Sequence, residues 1–167
     1  SYYYRFGIDL ETEGVHMPDM RLFKSKNTKL ELRIRRPLFA RGFRYRLHHS
    51  GLPGRPDMYF PKYNAVIFIH GCFWHGHDNS CPISHIPKNN ESYWQNKINK
   101  NHERDVKNQD ILASKNIRVL IIWECAIKLK TIDFVDFIDY IDEWLRGGAN
   151  STQMSAKEPM PTFEFPK

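Results

Sequence analysis

Two runs decide the fold, Ala65-Val66-Ile67-Phe68-Ile69-His70 and Arg118-Val119-Leu120-Ile121-Ile122-Trp123. Both are apolar almost without interruption and lack the alternation of a strand with one wet face, so each reads as a buried strand. Between them, Glu91 to about Lys115 carries a helical pattern. Working outward, Asp57 to Phe60 reads as a short strand and Pro61 to Asn64 as a turn. Gly51-Leu52-Pro53-Gly54-Arg55-Pro56 is loop. Phe43, Tyr45 and Leu47 alternate with Arg44, Arg46 and His48, the pattern of a half-buried strand. Thr28 opens a helix: Glu31 follows as in a capping box, and Leu30, Ile34 and Leu38 recur four apart, with Pro37 a point for a kink or an early end. Thr131 to Arg146 reads as an amphipathic helix stopped by Gly147-Gly148. The order is helix, three strands, helix, strand, helix, which makes an α/β domain with a mixed central sheet flanked by helices.

The domain so defined spans residues 20–148. Residues 1–19 form an N-terminal extension with no clear period, and residues 149–167 a polar, proline-containing tail expected to be flexible. No run of the 167 residues approaches the ~20 apolar residues of a membrane helix, and the first residues lack a secretory pattern, so the cytoplasm is the expected home. The formal charge is +6, unevenly spread: ten Lys or Arg lie between Met20 and Ser50 against one acid, Glu31. A basic run of that density suits a polyanion, although a solvated helix face has the same composition.

Three cysteines, an odd number without a secretory signal, point away from disulfides. Cys72, His77, Cys81 and Cys125 together offer three thiolates and an imidazole, a donor set for tetrahedral Zn²⁺ in a closed structural site. Three buried free cysteines are the simpler alternative, and His75 and His85 compete for the histidine position.

Asp57 stands at the mouth of one strand and His70 at the end of the next, a suitable place for a hard cation such as Mg²⁺. Phosphodiester hydrolysis uses such an ion to neutralise charge and activate water. His75 is a candidate general base with Asp105 to orient its ring. Each has an ordinary reading as well: Asp57 a turn residue, His70 a satisfied polar group, Glu31 a capping acid, Asp105 a surface partner of Arg104 or Lys107. Phe73 and Trp74 sit in a loop where aromatics can wedge between base steps, or else pack over the cysteine loop. Trp94, Lys97, Asn101 and Asp105 recur on one helix face, an odd set for a core and a useful one for a groove.

The stretches Leu52–Asp57 (LPGRPD), Ala65–His75 (AVIFIHGCFWH), Asn101-x-x-Arg104-Asp105 and Val119–Cys125 (VLIIWEC) resemble very-short-patch-repair (Vsr-type) mismatch endonucleases, from about Met20 to Cys125. The resemblance implies a restriction-endonuclease-like core with one structural zinc bound by Cys72, His77, Cys81 and Cys125. It implies two catalytic Mg²⁺ ions at Asp57 and the backbone carbonyl of Ile69, with His70 and Glu31 holding metal-bound waters and His75–Asp105 as the proton-transfer pair. Phe73, Trp74 and Trp94 resemble the rings inserted beside the mismatch, Met20 a residue approaching from the other side, and Lys97 and Asn101 those that read the mismatched pair. The implied reaction is nicking 5′ of the thymine in a T:G mismatch left by deaminated 5-methylcytosine. The implied setting is the nucleoid of a bacterium, as a monomer acting on double-stranded DNA alongside a cytosine-5 DNA methyltransferase and mismatch-repair proteins. Three features depart from the family pattern: Ile69 replaces a threonine, three residues rather than one separate His77 from Cys81, and residues 1–19 and the tail have no counterpart. Restriction- or homing-type cutting of matched sites is the competing reading, and a zinc-stapled DNA-binding module without catalysis a third.

Overall fold

In the computed structural model, the described residues are 28–78, 80–147 and 150–161. Met20 and residues 1–19 lie outside them. Among the described residues nine α-helices and β-strands follow in order, with a 3-10 turn at Pro61–Tyr63 between the second and third strands: α1 (Lys29–Ala40), β1 (Arg46–Leu47), β2 (Met58–Phe60), β3 (Ala65–His70), α2 (Glu91–Ser114), β4 (Arg118–Trp123), α3 (Glu124–Lys128), α4 (Phe134–Gly147) and β5 (Thr152–Met154). They build a five-stranded sheet in the order β1-β2-β3-β4-β5. The first two pairings are antiparallel, β3–β4 and β4–β5 parallel, so the sheet is mixed as expected.

The two apolar runs lie side by side in the middle, Ala65 opposite Arg118 and His70 opposite Trp123. Their continuous hydrophobicity follows from cover on both faces. Ala65, Ile67, Leu120 and Ile122 meet Ile34 and Leu38 of α1 and Phe137, Ile141 and Trp144 of α4. Val66, Phe68, Val119 and Ile121 meet Leu112 of α2 on the other face. Because α2 carries the chain from β3 to a parallel β4, the loops after both strands emerge at the same sheet end. Those loops hold most of the candidate residues.

Local rules account for the ends of α1 and α4. Thr28 caps α1, its hydroxyl accepting from the Glu31 amide at 3.2 Å, and Pro37 lies inside the last turn, which stops at Ala40. α4 begins at Phe134 rather than Thr131 because the Asp133 carboxylate accepts from the Val135 amide at 2.8 Å and so caps the helix there. The Arg118 guanidinium donates to the carbonyls of Tyr63, Trp144 and Leu145 at 2.9–3.1 Å, locking the last turn of α4 to the sheet.

Four differences from the sequence reading stand out. The half-buried strand expected over 43–48 is only Arg46–Leu47, both exposed; Phe43 and Tyr45 turn inward, but Leu47 does not. The alternation breaks because the next residue, His48, adopts a left-handed backbone (φ 46°). α3 was not anticipated; it is a single turn formed where β4 ends. The tail is not loose throughout: Thr152–Met154 extends the sheet alongside β4, Met154 is fully buried, and the Tyr140 hydroxyl donates to Pro161 O at 2.6 Å. Finally, part of the basic segment is spent inside the protein, since Arg41 pairs with Asp139 and Asp142 of the acidic α4.

Candidate functional site

Three clusters gather around the ends of β3 and β4. The first is Cys72, His77, Cys81 and Cys125, whose donor atoms all lie within 4.8 Å of one another. Cys72 follows β3, and Cys125 opens α3 directly after β4, so the parallel pairing brings together residues remote in sequence. All three thiols are free and buried. Cys125 Sγ lies 3.6 Å from His77 Nδ1, the edge that a tetrahedral ion with metal–sulfur and metal–nitrogen bonds of roughly 2.3 and 2.0 Å spans. Hydrogen bonding from Cys72 holds the Cys125 thiol down at about 6, while the same contact and burial push Cys72 up. One member of the trio is thus poised as thiolate, the form a metal binds. His77 stacks on Trp123 at 4.1 Å, and burial lowers its basicity, which keeps it a neutral donor. His85 is exposed and outside the group. Gly76 allows the loop to pass α2: its φ is +64°, and a Cβ there would meet Ile98 Cγ2 at 2.8 Å.

The second cluster is His70, His75 and Asp105. The two rings stack with centroids 3.9 Å apart and nearly parallel. His75 Nδ1 is 2.5 Å from Asp105 Oδ2, and Arg104 donates to the other carboxylate oxygen at 3.2 Å. Burial, the largest single influence, raises the Asp105 carboxyl, but the hydrogen bond and charge of His75 together with His70 and Arg104 leave the net shift downward. Burial, reinforced by the neighbouring His75, depresses His70 to about 3, so that ring is neutral. A carboxylate on Nδ1 leaves the Nε2 lone pair of His75 as its basic position.

The third cluster is Glu31, His48 and Asp57. Asp57 accepts from the Ile69 amide at 2.7 Å, which fastens it beside the end of β3. Burial pushes its carboxyl up to about 6, with the Glu31 carboxylate adding to the rise and the Ile69 hydrogen bond opposing it. Glu31 is 96% shielded although it also serves the α1 cap. The sequence reading put His70 with Glu31 as a holder of metal-bound water. In the structure Glu31 groups with His48 and Asp57, and His70 with His75 and Asp105.

Beside these clusters lies an aromatic patch. Phe73, Trp74 and Trp94 meet edge-on with centroids 4.9–6.0 Å apart; Trp94 is buried and the other two half-buried. Lys97 Nζ stands 5.7–5.8 Å from the rings of Trp74, Tyr93 and Trp94, and Asn101 donates to Trp74 O at 3.0 Å. The α2 face carrying Trp94, Lys97, Asn101 and Asp105 is therefore turned toward the loop. Two residues of this neighbourhood escaped the sequence reading. Tyr93, half exposed, was legible as an i,i+4 partner of Lys97. His48 was not, since strand alternation assigned it to solvent.

Comparison with known proteins gives this geometry its family. The family described as DNA mismatch endonuclease Vsr matches residues 9–81. The DNA mismatch endonuclease Vsr of Escherichia coli (strain K12) is 33% identical over 150 residues, 89% of this chain and 95% of that protein. The chain belongs to the Vsr family of DNA endonucleases. Other relatives of this chain are named as type II nicking enzymes. V.NmeAIP of Neisseria meningitidis serogroup A is 49% identical over 108 residues (65% of this chain, 76% of that one). V.XorIIP of Xanthomonas oryzae pv. oryzae is 44% identical over the same length, 78% of that protein. As a member of the Vsr family the protein is a nicking endonuclease, and no helix among its described residues is long and apolar enough to cross a membrane.

Proposed function

We propose that the protein nicks duplex DNA 5′ of the thymine in a T:G mismatch, using Mg²⁺ at Asp57 and a structural Zn²⁺ at Cys72, His77, Cys81 and Cys125. The observation that carries this reading is the juxtaposition of a carboxylate cluster, a His–Asp pair and an aromatic patch at one sheet end. Asp57 and Ile69 would hold the magnesium, which when bound would supply charge neutralisation at the phosphate and acidify a water. The His75–Asp105 pair is placed to accept a proton from the attacking water. Asp105 fixes the proton on Nδ1 and stabilises the ring once Nε2 is charged. His70, neutral and stacked on His75, holds the plane of the ring.

Mismatch preference is assigned to Phe73, Trp74 and Trp94 with Lys97 and Asn101. Rings entering a base step cost a few kcal/mol of unstacking, and a mispair lowers that cost. The names of the relatives support both mismatch-directed action and nicking. Cutting of matched sites remains the second reading, favoured by the relatives named as type II nicking enzymes.

The test uses end-labelled duplexes with T:G in several contexts beside T:A controls, with Mg²⁺ or with EDTA. A single nick on the T strand is expected, absent in EDTA and in Asp57→Ala. Equal cutting of T:G and T:A duplexes would overturn the mismatch assignment and leave the matched-site reading.

A further inference from the structure

The sequence reading and the family resemblance leave His48 without a role, yet its ring is 85% shielded and lies between two carboxylates. His48 Nε2 is shut off from solvent and makes no hydrogen bond, although Glu31 Oε2 is 3.4 Å away. His48 Nδ1 is 4.0 Å from Asp57 Oδ1. A buried imidazole nitrogen without a partner forfeits its hydration with nothing in return, so its retention calls for an occupant. The backbone holds the ring in place at a further cost: φ is 46°, a left-handed conformation for a residue with a Cβ, and the His48 amide donates to Asp57 O at 3.4 Å. Two atoms binding one ion at about 2.1 Å each, at angles between square and tetrahedral, lie roughly 3.0–3.4 Å apart. The Nε2–Oε2 separation is of that size.

We propose that His48 is a direct ligand of the cation at Asp57, completing a nitrogen-containing three-donor site with Asp57 and Glu31. This rests on the reading that Asp57 holds the catalytic ion. A site of this composition favours ions that accept imidazole, and Mn²⁺ therefore binds it more tightly than Mg²⁺, which prefers oxygen and water. Glu31 then contributes a carboxylate oxygen rather than acting only through water, and the α1 cap doubles as the support of that ligand.

The experiment loads the full chain, with its structural metal in place and no DNA, with Mn²⁺. Loss of the free-ion electron paramagnetic resonance signal measures binding, and electron spin echo modulation detects nitrogen bound to the ion. One Mn²⁺ with nitrogen modulation is expected, displaced only by a large excess of Mg²⁺. His48→Ala and His48→Gln are each expected to lose the modulation and to weaken binding by at least the roughly ten- to hundred-fold seen when an outer partner of a metal ligand is removed. In His70→Ala and His75→Ala the modulation is expected to persist, a result that does not depend on the His48 variants folding. Absence of Mn²⁺ binding, absence of nitrogen modulation, its survival in His48→Ala, or its loss with His70 or His75 would each overturn the assignment. T:G nicking with Mg²⁺ but no nitrogen modulation would reject His48 alone. Modulation without nicking of any duplex would reject the proposed function and leave the ligand in place.

Discussion

At the scale of single residues, burial and a few close neighbours move the carboxyls of Asp57 and Asp105 and the ring of His70 away from their ordinary values. Asp105 is valuable to His75 because it accepts at Nδ1 and carries charge. Asp105→Asn keeps the shape and loses both properties. Nicking is expected to fall by about a hundred- to ten-thousand-fold, the usual worth of a general base, with DNA affinity little changed in a gel-shift assay. Asp57 has the opposite character. Its folded-state carboxyl sits near 6, above the ordinary ~3.9 of aspartate, so in metal-free protein it contributes stability that is full below pH ~4 and is lost as pH rises through 6. The loss is on the order of 2–3 kcal/mol. A cation at Asp57 favours the carboxylate and recovers it. Thermal melting with and without Mg²⁺ is therefore expected to show a clear rise in Tm at pH 7.5 that shrinks toward pH 5. A pH-independent difference would place the ion elsewhere.

At the scale of elements, the loop between β3 and α2 and the face of α2 form one unit. Lys97 stands near three rings, and Asn101 ties the loop backbone at Trp74 to the helix. In the free protein the rings cover one another, Trp94 nearly fully. Entry into a base step then requires Phe73 or Trp74 to part from Trp94. Trp74→Ala is expected to erode the ratio of T:G to T:A cutting more than total affinity, whose steep salt dependence belongs to phosphate contacts. Binding titrations at several salt concentrations, paired with the nicking ratio, check this. A variant that kept full discrimination would count against insertion.

At the scale of the molecule, the four-donor cluster joins the ends of the two central strands and the start of α3. It also reaches the tail: the Ala156 amide donates to Cys125 Sγ at 3.3 Å, and Lys157 pairs with Asp78 at 2.8 Å. A metal there closes long chain loops, and its removal leaves thiols with mutually opposed protonation in the core. Elemental analysis is expected to find one zinc per chain, and a strong chelator to lower Tm by many degrees in calorimetry and to abolish nicking even with Mg²⁺ present. Full stability after zinc loss would reduce the cluster to packing.

The two central strands, the long helix between them and the capped α1 were legible in the sequence, because each rests on local periodicity or capping chemistry, whereas the cysteine–histidine set and Asp57, His75 and Asp105 could be named from residue type and family resemblance only as candidates beside ordinary readings. The pairing of β5 was not legible. Thr152–Met154 becomes strand only because β4 offers an unpaired edge, a contact more than 30 residues distant in the chain. His48 was likewise invisible: alternation points it outward, and only the left-handed turn of its backbone, held against Asp57 by the packing of α1 on the sheet, brings the ring between two carboxylates. Residue types and spacing determined which chemistry the chain carries. Long-range packing alone decided which groups meet, because burial and backbone conformation at a site depend on neighbours that no local pattern encodes.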